Sequence, residues 1–231
     1  VDKLIADIGG PILSLSADVT GVGDPNAPMQ IAVSGGIDKM RASDLPEYWP
    51  PRVSPDPRQW VLAHIRKGLV EDTVFEARIT VADNGDYTVD DINGSMRARD
   101  AIVDYLPPMP PVTGITANMR FDDKTFSIYT KGGRSQGLVV ESGRIVFTGL
   151  DQYDQFADID LKIKGRLPDQ LSYIDHKPFR FTSALNLNLN KAAGNADTRL
   201  KLFFILENDL SVDQVKVWAR STLTDVKLSN I

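Results

Sequence analysis

The sequence predicts a mainly β protein: a long antiparallel meander sheet with one apolar face, forming a curved open groove or a half-closed barrel. The first observation is that apolar and polar residues alternate almost without error in four stretches, 75–81, 115–121, 157–164 and 185–190. Because every second side chain of a strand shares a face, each stretch is apolar on one side and polar on the other. The second observation is that turn-forming residues separate such stretches, and the third is that a single segment shows clear helical spacing with capping signals.

Turn signals divide the chain into strands. Glycine-containing turns predict two or three strands within residues 1–42, and Asn84-Gly85 predicts a hairpin, because this pair readily adopts the positive φ angles of a tight turn. Residues 122–124 and 142–143 predict further tight turns. The stretch 202–206 is apolar on both faces, which predicts burial on both sides or packing against a neighbour. We expect strands over roughly two-fifths of the residues or more.

A helix is predicted near residues 57–67. Asp56 can cap its N-terminus, with Pro57 at the first helical position and Gly68 at the C-terminal stop. Trp60, Val61 and Ile65 then lie on one helical face, so we expect the helix to dock on the sheet through them. A second short helix is expected near 168–174.

Two proline-rich connectors, at 44–57 and 106–111, interrupt this pattern. Proline lacks the N–H that a sheet ladder requires, so neither segment can be a central strand. We interpret residues 1–231 as a single all-β domain. Because the chain begins with Val1 and carries no signal peptide, we expect it to be a fragment of a longer protein.

Composition excludes several classes of function. The formal net charge of −5 and the pI near 5.1 argue against a nucleic-acid-binding surface, which needs a basic stripe. No run of 18 apolar residues occurs, so no membrane span is expected within this fragment. The absence of cysteine excludes disulfides, thiol catalysis and cysteine-ligated metals.

Catalytic and metal-binding motifs are not evident. His64 and His176 are far apart in sequence, and we interpret the first as a half-buried helix residue and the second as a surface loop residue. Residues 83–86 resemble part of a calcium loop but lack the remaining ligands of such a loop. The glycine-rich stretch 132–137 is followed by a predicted strand, whereas a phosphate site of this kind needs a helix N-terminus after the loop. We therefore expect no catalytic residue, cofactor or metal, and no enzymatic activity.

Three groups of motifs resemble the AsmA-like superfamily of bacterial envelope proteins, specifically the middle region of its large YhdP-type members, long classed as a domain of unknown function. The first group comprises Tyr48-Trp49-Pro50, residues 58–61 and residues 67–70. The second is the connector 105–115, similar to the family's Y-L-x-x-M-P-P-V-x-x-I pattern, and the third is 165–171, similar to G-x-L-x-D-x-L. These matches span residues 45–175, and they are structural motifs that transfer no catalytic residue.

The resemblance implies a periplasmic β-sheet groove, anchored in the inner membrane by a segment outside this fragment and linked to phospholipid movement towards the outer membrane. The leading hypothesis is a non-enzymatic segment of a bridge-like lipid-transfer protein, with phospholipid acyl chains and neighbouring β segments of the same full-length chain as partners. The competing hypothesis is a structural or interaction module of the envelope whose apolar residues form a closed core without a ligand. An enzyme of unrecognised type, resting on His64 or His176, is the third.

The residues that would line an acyl groove are the apolar members of the alternating strands. The same residues would build a closed core, so the sequence leaves the first two hypotheses open. The candidate lining residues are Phe75, Ile79, Val81, Met119, Phe121, Ile159, Leu161, Ile163, Leu185, Leu187 and Leu189.

Overall fold

The described residues form one antiparallel sheet of 12 strands. The structure, a computed structural model, describes residues 4–7, 9–24, 27–49, 51, 55–82, 84–180, 192–207 and 210–228. The strands are β1 (Leu4–Asp7), β2 (Ile12–Thr20), β3 (Met29–Arg41), β4 (Ile65–Val81), β5 (Tyr87–Val103), β6 (Val112–Asp122), β7 (Thr125–Lys131), β8 (Arg134–Ser135), β9 (Leu138–Thr148), β10 (Phe156–Arg166), β11 (Ala192–Ile205) and β12 (Lys216–Leu228). With 63% strand, the predicted mainly β class is confirmed.

Strand order follows chain order, as the predicted meander requires. The sheet runs β1-β2-β3-β4-β5-β6-β7-β9-β10-β11-β12, and the two-residue β8 pairs with β6 and β9 beside this path. Every pairing is antiparallel, and the sheet is not a closed barrel. Among the described strands, the two edges are therefore β1, which is four residues long, and β12, which is 13 residues long.

Tight turns join the long strands at one end. Gly85 has a φ of +85°, and Asn84 accepts a hydrogen bond of 3.0 Å from the Asp86 N–H, so the predicted hairpin between β4 and β5 is confirmed. At the β6–β7 turn, hydrogen bonds from the Thr125 hydroxyl and from backbone N–H groups hold the pKa of Asp122 below its usual value. The tight turn predicted at 142–143 is wrong, because both residues lie inside β9.

The described part of the chain contains three short α-helices: α1 (Leu45–Tyr48), α2 (Pro55–His64) and α3 (Leu167–Ile174). The positions of α2 and α3 agree with the two predicted helices. Gly68 does not stop α2, however, since the helix ends at His64 and β4 begins at the next residue. Gly68 instead lies within β4, where its φ of +154° and the nearness of Ala101 leave little room for a side chain.

The predicted docking of Trp60 on the sheet is wrong. Its side chain is 44% exposed, and its ring lies over His64 at a centroid distance of 4.9 Å. The reason is that α2 continues directly into β4 and has its main contact with that strand, instead of lying across the apolar face. Val61 is half-buried in the last turn of α2, and Ile65, which was expected on the same helical face, is the half-buried first residue of β4.

Candidate functional site: the apolar face of the sheet

Strand register places the large apolar side chains in continuous rows across the sheet. Residues directly opposite one another in antiparallel strands point to the same face, so a chain of paired residues defines a row. Three parallel rows make up what we term the apolar face. The phenylalanine row is Leu15, Gly35, Phe75, Gly94, Phe121, Phe126, Phe147, Ala157 and Phe204. The aliphatic row is Met96, Met119, Ile128, Ile145, Ile159, Leu202 and Val217, and the small-residue row is Val70, Ala98, Ala117, Thr130, Gly143, Leu161, Leu200 and Ala219.

Every described candidate lining residue lies on this face. Five of them occupy the rows, and Ile79, Val81 and Ile163 lie on the same face further along β4 and β10, because they follow Phe75 and Leu161 at even spacing. All eight side chains are half-buried. Leu185, Leu187 and Leu189 lie outside the described residues.

Glycines within the strands lie beneath large side chains of the neighbouring strand, a feature that sequence reasoning missed. A Cβ added to Gly35 would lie 2.6 Å from Phe75 Cζ and 2.7 Å from Leu15 Cδ2. The Phe121 ring covers Gly94 in the same way, and Leu161 covers Gly143. The available signal was a glycine inside an alternating strand, which often marks a place where another group approaches the backbone closely.

The apolar face is not closed into a core over the described residues. The buried hydrophobic residues are mostly small: Ala42, Leu45, Ala101, Met109, Ala117, Leu138, Ala157 and Ala196. Phe75, Phe121 and Ile159 are only half-buried, shielded by their neighbours in the same layer. A closed sandwich of this length would bury many Leu, Ile and Phe side chains completely.

One rim of the apolar face is covered. The connector 104–111 joins the end of β5 to the start of β6, and α3 follows the end of β10, so both segments lie at the same rim of the sheet. Met109 of the connector is only 3% exposed there. The Gln170 side chain of α3 donates a hydrogen bond of 2.6 Å to the Ala196 carbonyl of β11. Tyr105 and Tyr173 join the two segments through a 2.7 Å hydrogen bond between their hydroxyls, and burial raises the pKa of Tyr105.

Comparison with known proteins assigns the family. A model of the YhdP protein family matches residues 13–230. The chain belongs to the YhdP family. Members of this family are AsmA-like large envelope proteins, so the resemblance inferred from motifs within residues 45–175 is confirmed and extends over almost the whole chain. Searches of curated proteins and of solved structures found no match.

The opposite face of the YhdP-family sheet is polar and rich in ion pairs. The two guanidinium nitrogens Nε and Nη2 of Arg199 donate hydrogen bonds of 2.9 and 2.6 Å to the Asp160 carboxylate, which holds the pKa of Asp160 below its usual value. Lys164 contacts Glu141 at 2.7 Å and Asp197 at 3.7 Å. Charged side chains therefore alternate with the apolar rows along β9, β10 and β11.

A depression of about 520 Å³ lies mainly on the polar side of this sheet. Its lining combines hydroxyl, amide and charged residues with Val74 and with four members of the phenylalanine row, namely Leu15, Gly35, Phe75 and Gly94; the polar members are Ser14, Ser16, Ser34, Glu76, Asn93, Ser95 and Arg120. Gly35 and Gly94 contribute backbone there because they have no side chain. The depression therefore borders the phenylalanine row where that row crosses β2 to β5, and it does not extend along the rest of the row.

The two histidines of the YhdP-family chain make local contacts. His64 Nδ1 lies 2.6 Å from the Asp104 carbonyl, and His176 Nδ1 lies 2.9 Å from the Ser172 carbonyl. Within the described ranges, no group of three or more His, Cys, Asp or Glu residues is placed to hold a metal ion. Of the helices that the structure describes, none has the length and apolar character needed to cross a membrane.

Proposed function

We propose that this YhdP-family chain is a non-enzymatic segment of a periplasmic, bridge-like lipid-transfer protein that carries phospholipid between the inner and outer membranes along its apolar face. The observation that supports the proposal most is the continuity of the phenylalanine row, which crosses nine strands from Leu15 to Phe204 without a charged residue. At about 4.8 Å per strand the row extends for roughly 40 Å. The three rows together are roughly 13 Å wide.

Such a surface suits acyl chains for a simple energetic reason. Each methylene group transferred from water to an apolar contact contributes about 0.8 kcal/mol, so many weak contacts add up to substantial binding. The rows contain one hydroxyl, that of Thr130, which already donates a hydrogen bond of 3.1 Å to the Thr116 carbonyl. With no strong polar contact within the rows, an acyl chain has no single position to prefer, which favours movement along the face.

The proposed setting follows from the same surface and from the family. We place the chain in the periplasm, tethered to the inner membrane by a segment outside this fragment, with neighbouring β segments of the full-length protein continuing the sheet. The long edge strand β12 supports this arrangement, because an unpaired edge offers a row of free backbone N–H and C=O groups to a further strand.

A second candidate function is a structural or interaction module of the envelope with a closed apolar core and no ligand. The covering of one rim by α3 and the connector 104–111 favours it, since further covering of the same kind would bury the rows. In that case a charge placed on the apolar face would be buried and would cost several kcal/mol of stability.

The test compares a charge on each face at adjacent positions. Met119 lies in the aliphatic row and covers no glycine, whereas Asn118 is the preceding residue and points to the polar face. For Met119→Glu and Asn118→Glu we would measure the folded fraction by circular dichroism, phospholipid retained on purification by mass spectrometry, and binding of a phospholipid with a fluorescent acyl chain. A second matched pair is Ile145→Glu and Val146→Glu on β9.

We expect both apolar-face variants to stay folded and to lose phospholipid, while both polar-face variants resemble the unchanged chain. Apolar-face variants that unfold, beside folded controls, would support the closed module instead. Equal phospholipid binding by Met119→Glu and Asn118→Glu would contradict the proposed path along the apolar face.

A further inference from the structure

The polar side of the last two strands carries an ordered set of cations and aromatic rings. Three directly opposed pairs share this face: Phe203 with Lys216, Lys201 with Trp218, and Arg199 with Arg220. These six residues, which we term the cation–aromatic patch, occupy β11 and the edge strand β12. No described strand lies beyond them.

Cations flank both rings, yet the rings remain accessible. Lys201 Nζ and the Arg220 guanidinium carbon lie 5.8 and 5.9 Å from the Trp218 ring centroid, and Lys216 Nζ lies 5.6 Å from that of Phe203. These distances fall within the range of cation–π attraction. Trp218 is nevertheless 46% exposed and Phe203 41% exposed, so both rings offer apolar surface to a partner.

The patch has an excess of positive charge. The Asp160 carboxylate pairs with both Arg199 and Lys201. Among the described residues, Lys216 and Arg220 have no carboxylate oxygen within 4.0 Å. Arg199 and Arg220 also lie directly opposite one another, an arrangement that is unfavourable for like charges unless an anion lies nearby. This local excess contrasts with the net charge of −5 of the whole chain.

We propose that the cation–aromatic patch docks on the surface of an anionic phospholipid bilayer. Lys and Arg are attracted by phosphate groups, while the indole of Trp, which is apolar with a polar N–H, favours the depth of the headgroups. A bilayer surface presents phosphate groups over a broad area, so this contact needs no shape-complementary pocket. An acidic polypeptide is the competing partner, and it would recognise the charges without needing the exposed rings.

This docking is independent of acyl-chain transport, because it uses the opposite face of the sheet. The experiment is co-sedimentation of the 231-residue chain with phosphatidylcholine vesicles that either contain or lack phosphatidylglycerol. The test variants are Lys216→Gln/Arg220→Gln and Trp218→Ala. The control is Arg120→Gln/Lys131→Gln, which removes the same charge from the polar face of β6 and β7. Circular dichroism reports whether each variant is folded.

We expect binding to the anionic vesicles alone, and weaker binding at higher salt. Lys216→Gln/Arg220→Gln should reduce the partition constant roughly thirtyfold, because each Lys or Arg lost near the surface lowers it by a factor of about five. Trp218→Ala should also reduce the partition constant. The control variant should bind as the unchanged chain does. Absence of binding to anionic vesicles, or equal losses in the test and control double variants, would overturn the proposal. Binding to polyglutamate that survives Trp218→Ala, without vesicle binding, would identify an acidic polypeptide as the partner instead. Loss of acyl loading in Met119→Glu with vesicle binding retained would separate the two functions.

Discussion

Gly35→Ala tests whether the apolar face is packed as the register indicates. The new Cβ would lie 2.6 Å from Phe75 Cζ and 2.7 Å from Leu15 Cδ2, closer than real Cβ contacts, so at least one of these side chains must move. Overpacking of this kind costs about 1–3 kcal/mol. Gly35 does not have a left-handed φ, so alanine itself fits the backbone and lowers the entropy of the unfolded chain, which stabilises by about 0.4–1 kcal/mol. We expect a net destabilisation of about 1–2 kcal/mol.

Urea unfolding of a double-mutant cycle isolates the contact with the ring. In a Phe75→Leu background the atom nearest to the new Cβ is gone, so Gly35→Ala should cost about 1 kcal/mol less than in the unchanged chain. Gly10→Ala is the control, because its Cβ would meet only the Tyr48 hydroxyl at 3.4 Å. A stabilising Gly35→Ala, or an equal cost in both backgrounds, would refute the packing of Phe75 over this glycine.

Three further predictions concern the rim, the polar face and the histidines. Met109→Ala should lower the free energy of unfolding by about 2–4 kcal/mol in urea titration, because the side chain of this connector residue is buried. The ionised Asp160 carboxylate stabilises the fold above its unfolded pKa of about 3.9, and this contribution is lost as pH falls through the lower pKa of the folded state. Asp160→Asn should therefore make the melting temperature fall less steeply with decreasing pH. An unchanged pH dependence would contradict the role of Arg199. His64→Gln/His176→Gln should leave the cellular role of the full-length protein intact, and loss of that role in a folded, normally abundant variant would reopen the enzyme hypothesis.

Alternation of apolar and polar residues predicted the two faces of the sheet well. It placed Met119, Phe121, Ile159 and Leu161 on one face, because the period of a strand depends on local geometry alone. Proline at the first turn of α3 likewise marked a helix start that the structure shows at Leu167. The connector 106–111 was recognisable for the same reason, since the conformational limits of proline are local.

Contacts between distant segments could not be read from the sequence. The spacing of Trp60 and Val61 is helical, but whether that helical face meets the sheet depends on where α2 ends and β4 begins. Residues 202–206 were expected to be buried on both sides or packed against a neighbour. Leu202 and Phe204 are half-buried on the apolar face, whereas Phe203 on the polar face is 41% exposed and its ring stacks on that of Phe156. The pairing of Gly35 with Phe75 requires the register of β3 against β4, which the alternation of either strand leaves undetermined.

The covered glycines connect the fold to the proposed function. A ring that lies across a glycine of the next strand covers the backbone of two strands and projects less than a ring that stands upright between two large neighbours. The phenylalanine row alternates such residues, with Gly35 beside Phe75 and Gly94 beside Phe121. The result is a continuous apolar row in which aromatic rings cover the backbone at the glycines. A row of that kind holds an acyl chain by contact area instead of by shape, which is what a surface must do if the chain is to move along it.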